Sequence, residues 1–306
     1  MRDLRDAGLA LVNFWGALAV APGWRYQVVE RWGTWFGHGR RLPRTLVNGC
    51  RMECDLADHV QRHVYFWGLS EPEEAWLFLK LLRPGMTVVD GGANVGEYSL
   101  LASTAVGEEG SVHSFEPVPA NFVRLRGHVA VNGLHNIRMQ QLALWERTTT
   151  LTLGLPAGME ANAGTWSASA ASGSVQSVQA TTLDEYAEAE GLERVDVVKL
   201  DIEGAEIFAL RGMQRILERD RPVLLVELNE VGQRKGSTAG AVMDLLAPLG
   251  YRAWRIAPDP ARCGPVADVT AMGPANVLLH VKELPSDFTD WTLKSVLRWA
   301  RSGAYR

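Results

Sequence analysis

The sequence predicts an α/β protein with a doubly wound, mostly parallel sheet of seven strands. The first observation is an apolar run, residues 86–89, that passes through Asp90 into two adjacent glycines and then into a helical pattern over 95–106. This order of strand, tight turn and helix is typical of a nucleotide-binding corner in an open α/β sheet. The second observation is that apolar strands alternate with helical patterns along most of the chain, which predicts parallel strands with helices on both faces.

The remaining elements follow from the period of apolar residues and from the residues that flank them. Residues 71–83 predict an amphipathic helix, because Pro72 and acids stand in its first turn and Pro84-Gly85 ends it. Further strands are expected at 111–115, 137–144, 195–200, 223–226, 251–256 and 276–281, with β-like segments at 149–153 and 175–180. Further helices are expected at 121–132, 183–190, 205–219 and 238–249.

Composition excludes several classes of protein. The chain has 306 residues, of which 47% are hydrophobic and 22% charged, as in ordinary soluble globular proteins. A formal net charge of −4 gives no general attraction for nucleic acid, so no nucleic-acid partner is expected. Cys50, Cys54 and Cys263 show no C-x-x-C spacing and suit a reducing compartment, which predicts a cytoplasmic protein without a disulfide framework.

The chain is expected to divide into a main domain, residues 65–285, a helical, Trp-rich N-terminal extension, 1–64, and a basic amphipathic helix, 286–306. The uncharged run 8–23 is shorter than the roughly 20 residues of a membrane-spanning helix. We therefore predict no transmembrane span and favour packing over contact with a membrane surface for this run. The Gly-, Ala- and Ser-rich segment 154–179 is expected to be a long functional or disordered loop.

The N-terminal extension is rich in tryptophan. Its tryptophans are Trp15, Trp24, Trp32 and Trp35. Because an indole buries a large apolar area, we expect these side chains to cover a face of the core. A lid that stacks on an apolar or sugar-like substrate is the alternative, and the two roles can coexist.

Two histidines, His59 and His63, stand four residues apart, a spacing that would place both on one face of a helix. A metal site is conceivable here. The apolar and aromatic residues around them are more typical of a strand or a packing segment, and we favour that interpretation over metal binding.

Four acidic residues fall at the ends of predicted parallel strands: Asp90, Glu116, Asp201 and Glu227. The carboxyl ends of such strands lie side by side at one edge of the sheet, so these acids are expected to converge on a single cleft. Glu116 can accept hydrogen bonds from two ribose hydroxyls, and Asp90 can hold the glycine loop or a ligand ammonium group. Asp201 and Glu227 would face the reacting group.

A nicotinamide cofactor does not fit this corner. The dinucleotide fingerprint G-x-G-x-x-G would need glycines at 91, 93 and 96, and position 93 is Ala. The fingerprint also gives no role to the segment Asp201-Ile-Glu203-Gly204.

Taken together, the motifs resemble the FkbM family of S-adenosylmethionine-dependent methyltransferases over about residues 65–230. The motifs that carry the resemblance are Asp90-Gly-Gly-Ala-Asn-Val-Gly96, Phe115-Glu-Pro117, Ala143-Leu144, Thr182-Leu-Asp184, Lys199-Leu-Asp-Ile-Glu-Gly-Ala-Glu206 and Glu227-Leu-Asn229. The resemblance implies a class I methyltransferase fold, which is Rossmann-like, and O-methylation of a hydroxyl on a sugar or natural product. The acceptor would be a small molecule, and the oligomeric state is left open.

The resemblance also implies how the cofactor S-adenosylmethionine, released as S-adenosylhomocysteine, would be held. The turn from Asp90 to Gly96 would cradle the methionine part, Glu116 would hold the ribose, and the backbone at 142–144 would face the adenine. The full set of implied cofactor residues is Asp90, Gly91, Gly92, Ala93, Asn94, Gly96, Tyr98, Ser99, Glu116, Pro117, Leu142, Ala143, Leu144 and Asp201.

A hydroxyl acceptor needs a base or a metal, because it is a poor nucleophile at neutral pH. The candidate catalytic acids are Asp201, Glu203 and Glu227, with Asp201 or Glu203 as the base. A magnesium ion held by Glu203 and Glu227, with Asn229 or water completing its oxygen shell, is less favoured, since Leu228 stands where a third acid would be expected. An N-methyltransferase on the same fold and a non-catalytic cofactor-binding partner subunit are two further hypotheses.

Overall fold

The computed structural model describes residues 8, 11, 29–37, 39–155, 166–167, 174–228, 238–257, 263–267 and 275–284. The predictions for Trp15, Trp24 and Asn229, for most of the loop 154–179 and for the C-terminal segment 286–306 lie outside the described residues. No helix within the described part is long and apolar enough to cross a membrane.

Strands and helices alternate along most of the described chain. The strands are β1 (Arg41–Thr45), β2 (Arg51–Asp55), β3 (Thr87–Gly91), β4 (Ser111–Phe115), β5 (Ile137–Gln140), β6 (Ala143–Leu144), β7 (Thr149–Leu155), β8 (Ser174–Thr181), β9 (Val197–Leu200), β10 (Val223–Leu228), β11 (Arg252–Ile256), β12 (Gly264–Val266) and β13 (Ala275–His280). The longer helices are α1 (His59–Trp67), α2 (Pro72–Leu81), α3 (Glu97–Val106), α4 (Pro119–Val131), α5 (Leu183–Glu190), α6 (Glu206–Arg211), α7 (Gln214–Arg219) and α8 (Ala239–Leu246). A π-helical turn, Val29–Gly33, precedes them.

The main sheet has the strand order β12-β11-β13-β10-β9-β3-β4-β5. The neighbours β10, β9, β3, β4 and β5 run parallel, whereas β13, β11 and β12 are antiparallel to their partners. The predicted doubly wound, mostly parallel sheet is therefore confirmed, and the short β12 adds an eighth strand at its edge. The chain order reverses between β3 and β9, and ligands bind at such switch points in open α/β sheets.

The sheet is covered on both faces, which explains its nearly continuous apolar strands. Successive residues of β3 point to opposite sides: Val88 belongs to one hydrophobic core and Val89 to the other. Leu100 and Leu125, on α3 and α4, pack in the core with Val88, and Leu210 on α6 packs in the core with Val89. Because β3, β4, β9 and β10 run parallel between these layers, their carboxyl ends share one edge of the sheet.

The predicted strand at 137–144 proves to be two strands. β5 ends at Gln140, and the chain then leaves the main sheet so that Ala143 and Leu144 pair with β8 in a separate three-stranded sheet of order β6-β8-β7. An apolar run alone does not reveal a change of sheet, because both halves have the same β-like pattern. The prediction of a single strand was wrong, and residues 142–144 consequently turn toward the ligand edge.

The predicted helix at 205–219 is broken at Gly212, between α6 and α7. A Cβ atom at Gly212 would lie 2.0 Å from the carbonyl oxygen of Trp145. The two segments of chain therefore approach each other more closely than any larger residue would allow. The prediction of a single helix was wrong because this contact joins distant parts of the chain and does not change the spacing of apolar residues along 205–219.

The segment with His59 and His63 is a helix with one buried face, so the strand interpretation was wrong, whereas packing against the core is observed. The side chain of Asp58 accepts a hydrogen bond from the backbone N–H of Gln61, and Gly68 ends the helix in the left-handed conformation at a φ of +84°. An Asp N-cap and a Gly C-cap are strong helix boundaries. They outweigh the β-like composition of the residues between them.

The expectation that the N-terminal tryptophans cover the core is wrong for two of them. Trp32 is 47% exposed and Trp35 is 67% exposed, and their rings pack edge to face with centroids 6.4 Å apart. Trp76, on α2, is buried. The number of tryptophans in the extension therefore does not predict that their side chains are buried.

The turn after β3 brings that strand into backbone contact with the end of β9. Gly92 adopts a φ of +80°, and a Cβ atom there would lie 1.9 Å from the carbonyl oxygen of Asp201. The N–H groups of Gly92 and Ala93 donate to the carbonyl of Phe115 at 3.0 and 2.9 Å. Only a glycine can occupy position 92 without displacing one of the two strands.

We expect Gly92→Ala to destabilise the fold far more than Gly85→Ala. Gly85 has a similar φ of +84°, but no atom lies within 4 Å of the place that its Cβ would take, so its alanine variant bears only the left-handed backbone cost of about 1–2 kcal/mol. Overpacking against Asp201 adds about 1–3 kcal/mol to the cost of Gly92→Ala. Urea unfolding of both variants measures the difference, and equal destabilisation would contradict the close contact.

Candidate functional site

A cavity of about 710 Å³ opens at the carboxyl edge of the main sheet. Most of the predicted site residues line it: Asp90, Gly92, Ala93, Asn94, Tyr98, Glu116, Pro117, Leu142, Ala143, Leu144, Asp201, Glu203 and Glu227. Three predicted residues, Gly91, Gly96 and Ser99, are not among the lining residues. The convergence of the four strand-end acids on one cleft is therefore observed.

The three residues outside the lining shape the turn instead. Gly91 ends β3, and a Cβ atom there would lie 2.9 Å from a methyl carbon of Leu200. Gly96 is the N-cap of α3 at a φ of +103°, a conformation that favours glycine. Ser99 is fully buried and contacts the site through Asp90.

Asp90 presents one carboxylate oxygen that has no partner among the described residues. Its Oδ2 accepts a hydrogen bond of 2.6 Å from the Ser99 hydroxyl, which lies 2.7 Å from the hydroxyl of Ser114. Its Oδ1 is buried and accepts no hydrogen bond in the described part of the chain. Burial raises the pKa of this carboxyl, although Lys199 and Ser99 oppose the shift. An unsatisfied buried acceptor of this kind fits a ligand that donates hydrogen bonds, such as an ammonium group.

Glu116 is held in place by the backbone around it. Its Oε2 accepts the N–H of Asn94 and its Oε1 accepts the N–H of Val118, both at 2.8 Å. Burial raises its pKa to about 7, against the effect of these hydrogen bonds. Each carboxylate oxygen has a second lone pair, so Glu116 can still accept hydrogen bonds from a diol. The Oδ1 of Asn94 is a second buried acceptor without a partner in the described part.

The wall at 142–144 ends in an aromatic stack. Trp145 stacks on Phe208 with ring centroids 4.3 Å apart and an interplanar angle of 18°, and Trp145 also lines the cavity. Leu142 and Ala143 lie beside it at the start of the small sheet. This part of the cavity offers apolar side chains and backbone groups, as a planar heterocycle requires.

Asp201 is an ionised acid between a lysine and a protonated glutamic acid. The Nζ of Lys199 donates to its Oδ2 at 2.9 Å, and the Lys199 side chain is only 3% exposed. Burial favours the neutral form of Asp201, but the charge of Lys199 outweighs it and lowers the pKa. Burial and the charge of Asp201 raise the pKa of Glu227, which therefore carries the proton and donates to Asp201. The Asp201 side chain remains 37% exposed in the cavity.

Glu203 and Glu227 do not complete a metal cluster within the described residues. Glu203 has a left-handed backbone at a φ of +52°, which is uncommon for a residue other than glycine. Backbone strain of this kind is concentrated at functional sites. In the part of the chain that the structure describes, the one group of three His, Cys, Asp or Glu side chains that could hold an ion is elsewhere, at Glu30, His59 and His63.

Glu206 closes the turn that carries Asp201. Its Oε1 accepts the backbone N–H of Gly204 at 3.0 Å and that of Ile202 at 3.3 Å, and the side chain is fully buried. This geometry agrees with a structural role for Glu206 rather than a catalytic one.

Several acids of the cavity were not among the predicted site residues. Glu71 and Glu74 come from the start of α2, where the helix dipole was a sufficient reason for acids. Asn276, on β13, donates hydrogen bonds to both of these glutamates. Glu97 is buried and accepts the N–H of Ser70 at 2.8 Å. The signal in the sequence was the group of glutamates around Pro72, at the start of the helix that precedes β3.

Lys199 is the only lysine or arginine among the described residues that line the cavity. Its Nζ lies 4.3 Å from the ring centroid of Tyr98, a cation–π contact. Burial opposes its charge, but Asp201, Glu74 and Asp90 outweigh burial and raise the pKa of Lys199. Among the described residues of the wall, Lys199 is therefore a fixed cation surrounded by acids.

The helix α1 contributes His59, His63 and Trp67 to the same cavity. The His63 ring packs against Trp67 and against His59, with centroids 4.4 and 4.5 Å apart. Burial and the neighbouring His59 lower the pKa of His63 to about 4, against the opposing effect of Glu30. His63 is therefore a neutral imidazole at physiological pH.

The family model for the methyltransferase FkbM domain matches residues 90–253, which is more than half of the chain. The chain belongs to the FkbM methyltransferase family. The predicted resemblance to this family is thus confirmed. The matched range spans the segment from Asp90 on β3 to Ala253 on β11.

Relatives of the FkbM domain were found among sequences and structures. Methyltransferase 1 of Beauveria bassiana (strain ARSEF 2860) is 25% identical over 145 residues, which are 41% of this chain and 57% of the relative. The structure of the methyltransferase FkbM from Methylobacillus flagellatus KT is 17% identical and covers 73% of this chain and 55% of its own, with a TM-score of 0.41. An S-adenosylmethionine-dependent O-methyltransferase from Thermotoga maritima is 14% identical and covers 70% and 66%, with a TM-score of 0.39. The chain thus spans little more than half the length of the curated relative.

The buried Glu97 makes stability depend on pH. Burial raises its pKa from 4.5 to about 7, so the folded chain binds this proton more tightly than the unfolded chain. The stabilisation is complete below pH 4.5 and is lost as the pH rises through about 7. We expect Glu97→Gln, which stays neutral, to reduce the loss of stability between about pH 5 and pH 8 by roughly 2–3 kcal/mol.

Urea unfolding of the FkbM protein at both pH values measures this loss. Glu108→Gln is the matched control, because it makes the same chemical change at an exposed acid. If the free energy of unfolding depends on pH in the same way in wild type and Glu97→Gln, folding does not raise the pKa of Glu97.

Proposed function

We propose that this FkbM protein is an O-methyltransferase that transfers a methyl group from S-adenosylmethionine to a hydroxyl of a sugar or natural product. The observation that supports it most is the position of Asp201. Its ionised carboxylate lines the same cavity as Asp90 and Glu116 and is the acid whose charge a buried lysine maintains. The acids proposed to hold the cofactor and the acid proposed to react with the acceptor therefore line the same cavity.

The cofactor is proposed to bind the residues of the first two strand ends. The unsatisfied Oδ1 of Asp90 would accept from the ammonium group of the methionine part, beside the backbone of Gly92, which lines the same cavity. Glu116 would accept from the ribose hydroxyls, with its orientation fixed by Asn94 and Val118. The adenine would lie against the wall at 142–144.

The reaction is an in-line displacement, so much of its catalysis is the positioning of two reactants. S-adenosylmethionine supplies a methyl group on a sulfonium ion and is released as S-adenosylhomocysteine. The hydroxyl becomes strongly acidic only as its oxygen bonds to the methyl carbon. A carboxylate within reach accepts the proton at that stage, even when its own pKa is low.

Asp201 is the best candidate for this base among the three predicted acids. Lys199 keeps it deprotonated, whereas Glu227 holds a proton and is a donor rather than an acceptor toward Asp201. Glu203 is the alternative base, since its strained turn also points it to the cavity. A magnesium ion between Glu203 and Glu227 stays a prediction; its oxygen ligands would suit that ion.

An amine acceptor is a second candidate, and the acids of α2 favour it. Glu71, Glu74 and Glu227 lie in the wall with Asp201, and burial raises the pKa of each of these three glutamates, so a bound cation would favour their ionised forms. A protonated amine would be attracted to such a wall and could lose its proton there before attack. Amino sugars would combine this preference with the proposed class of acceptor.

We expect Asp201→Asn to lower methyl transfer by about 100-fold or more, because the amide cannot accept the proton. Cofactor affinity should stay within about tenfold, or 1.4 kcal/mol, of wild type. The asparagine oxygen can still accept from Lys199, which limits damage to the fold. Transfer of a labelled methyl group to a panel of glycosides, macrolides and amino sugars measures turnover, and calorimetry measures cofactor binding.

Glu203→Gln is the matched variant in the same turn, and it should retain activity if Asp201 is the base. Undiminished activity in Asp201→Asn together with loss in Glu203→Gln would move the base to Glu203. Absence of cofactor binding by the wild-type protein would overturn the proposed function altogether. Cofactor binding without transfer to any acceptor would favour the non-catalytic partner subunit.

A further inference from the structure

Three potential metal ligands converge beside the cavity and outside the matched family domain. The Nε2 of His63 lies 2.8 Å and the Nδ1 of His59 lies 3.1 Å from the same oxygen, Oε1 of Glu30. All three ligand atoms lie within 4.8 Å of one another. The histidines are one helical turn apart on α1, and Glu30 comes from the π-helical turn packed against it.

The spacing of these atoms is close to that of a metal shell. Ligand atoms about 2.0–2.2 Å from a tetrahedral Zn²⁺ are about 3.3 Å from each other. The two nitrogen–oxygen separations of 2.8 and 3.1 Å are hydrogen-bond distances a few tenths of an ångström shorter, so an ion would replace the protons between these atoms and move them apart by small side-chain rotations. Because α1 is a regular helix with defined caps at Asp58 and Gly68, its two imidazoles are held in this relation.

The chemistry of the donor set selects the kind of ion. Two imidazole nitrogens and one carboxylate suit Zn²⁺ and related transition metals, whereas Mg²⁺ prefers oxygen ligands alone. Three protein ligands also leave a coordination position open, as in metal sites that bind a substrate. His59 and His63 line the cavity, so that position would be reached from inside it.

Arg62 supports the carboxylate from the far side. Its guanidinium donates to both oxygens of Glu30, at 3.2 and 3.0 Å, and its side chain is 5% exposed. The positive charge of Arg62 repels a metal ion bound to Glu30. The same guanidinium fixes the orientation of the Glu30 carboxylate, as hydrogen-bond partners of metal ligands do. A carboxylate has about four lone-pair sites, and an ion would take over those that the two histidines now contact rather than those that accept from Arg62.

We propose that Glu30, His59 and His63 form a binding site for a divalent transition metal, with Zn²⁺ as the best-matched ion, in the wall of the cavity. The ion would present its open position to an oxygen of the acceptor and thereby orient it. That role rests on the proposed methyl transfer, whereas the binding of the ion does not. The site is also distinct from the acids Glu203 and Glu227.

The test is a titration of the full-length, metal-stripped and untagged protein with Zn²⁺, without cofactor or acceptor. We expect about one ion per chain with a dissociation constant of about 1 µM or lower. His59→Ala should weaken binding by more than about 100-fold, because loss of a ligand exceeds the 10–100-fold effect of losing an outer partner. His59 is 38% exposed, so this variant is expected to fold.

Two controls separate the site from other sources of binding. His135→Ala removes an exposed histidine outside the cavity, and Glu227→Gln alters the acid cluster; both should leave the Zn²⁺ stoichiometry and affinity unchanged. The visible absorption of bound Co²⁺ should report a low-coordinate site with nitrogen ligands in wild type and disappear in His59→Ala and Glu30→Gln.

No stoichiometric binding by wild type, or equal binding by wild type and His59→Ala, would overturn the proposal. Because the titration contains neither cofactor nor acceptor, such a failure leaves the proposed methyl transfer untouched. If the wild-type protein binds Zn²⁺ but transfers no methyl group to any acceptor, the result would count against the proposed function alone.

Discussion

The contact between the turn after β3 and the end of β9 sets the geometry of the site. The carbonyl oxygen of Asp201 occupies the space in which a Cβ atom at position 92 would lie, 1.9 Å from it. The N–H of Asp201 also donates to the carbonyl of Gly91 at 3.1 Å. Because these strand ends touch directly, Asp90 and Asp201 keep a fixed separation. The proposed positions of donor and acceptor are therefore set by backbone, the stiffest part of the fold.

Electrostatic balance is the second constraint. Many acids share the cavity wall with one lysine, and they cannot all be ionised in a low-dielectric space. Burial and the charge of Asp201 raise the pKa of Glu227, which keeps its proton. Burial also raises the pKa of Glu97 and Glu116 to about 7. Asp201 stays charged because Lys199 lowers its pKa. One carboxylate is thereby distinguished from chemically identical neighbours by a single hydrogen-bonded cation.

The sequence was sufficient to predict that four acids converge on one cavity. Asp90, Glu116, Asp201 and Glu227 follow parallel strands, and the ends of parallel strands must share an edge of the sheet. This inference needs only the order of elements. The strand after β4 was predicted too long, because leaving one sheet for another changes hydrogen-bond partners but not the apolar pattern around residues 137–144.

The other wall could not be predicted in the same way. Glu71 and Glu74 had an adequate local explanation in the dipole of α2, and only tertiary packing turns them into the cavity. The helix that carries His59 and His63 was obscured by β-like residues, although Asp58 and Gly68 mark its ends. Glu30 comes from a segment 29 residues before His59, and no pattern in the sequence links the two.

The two walls of the cavity also have different origins along the chain. The shared FkbM domain begins at residue 90, whereas Met52, His59, His63 and the acids of α2 precede it and still line the cavity. The match to the family therefore covers only part of the cavity wall. Under the proposed function, changes in the preceding segment would alter the wall that meets the acceptor and would leave in place Asp90 and Glu116, the residues proposed to hold the methyl donor.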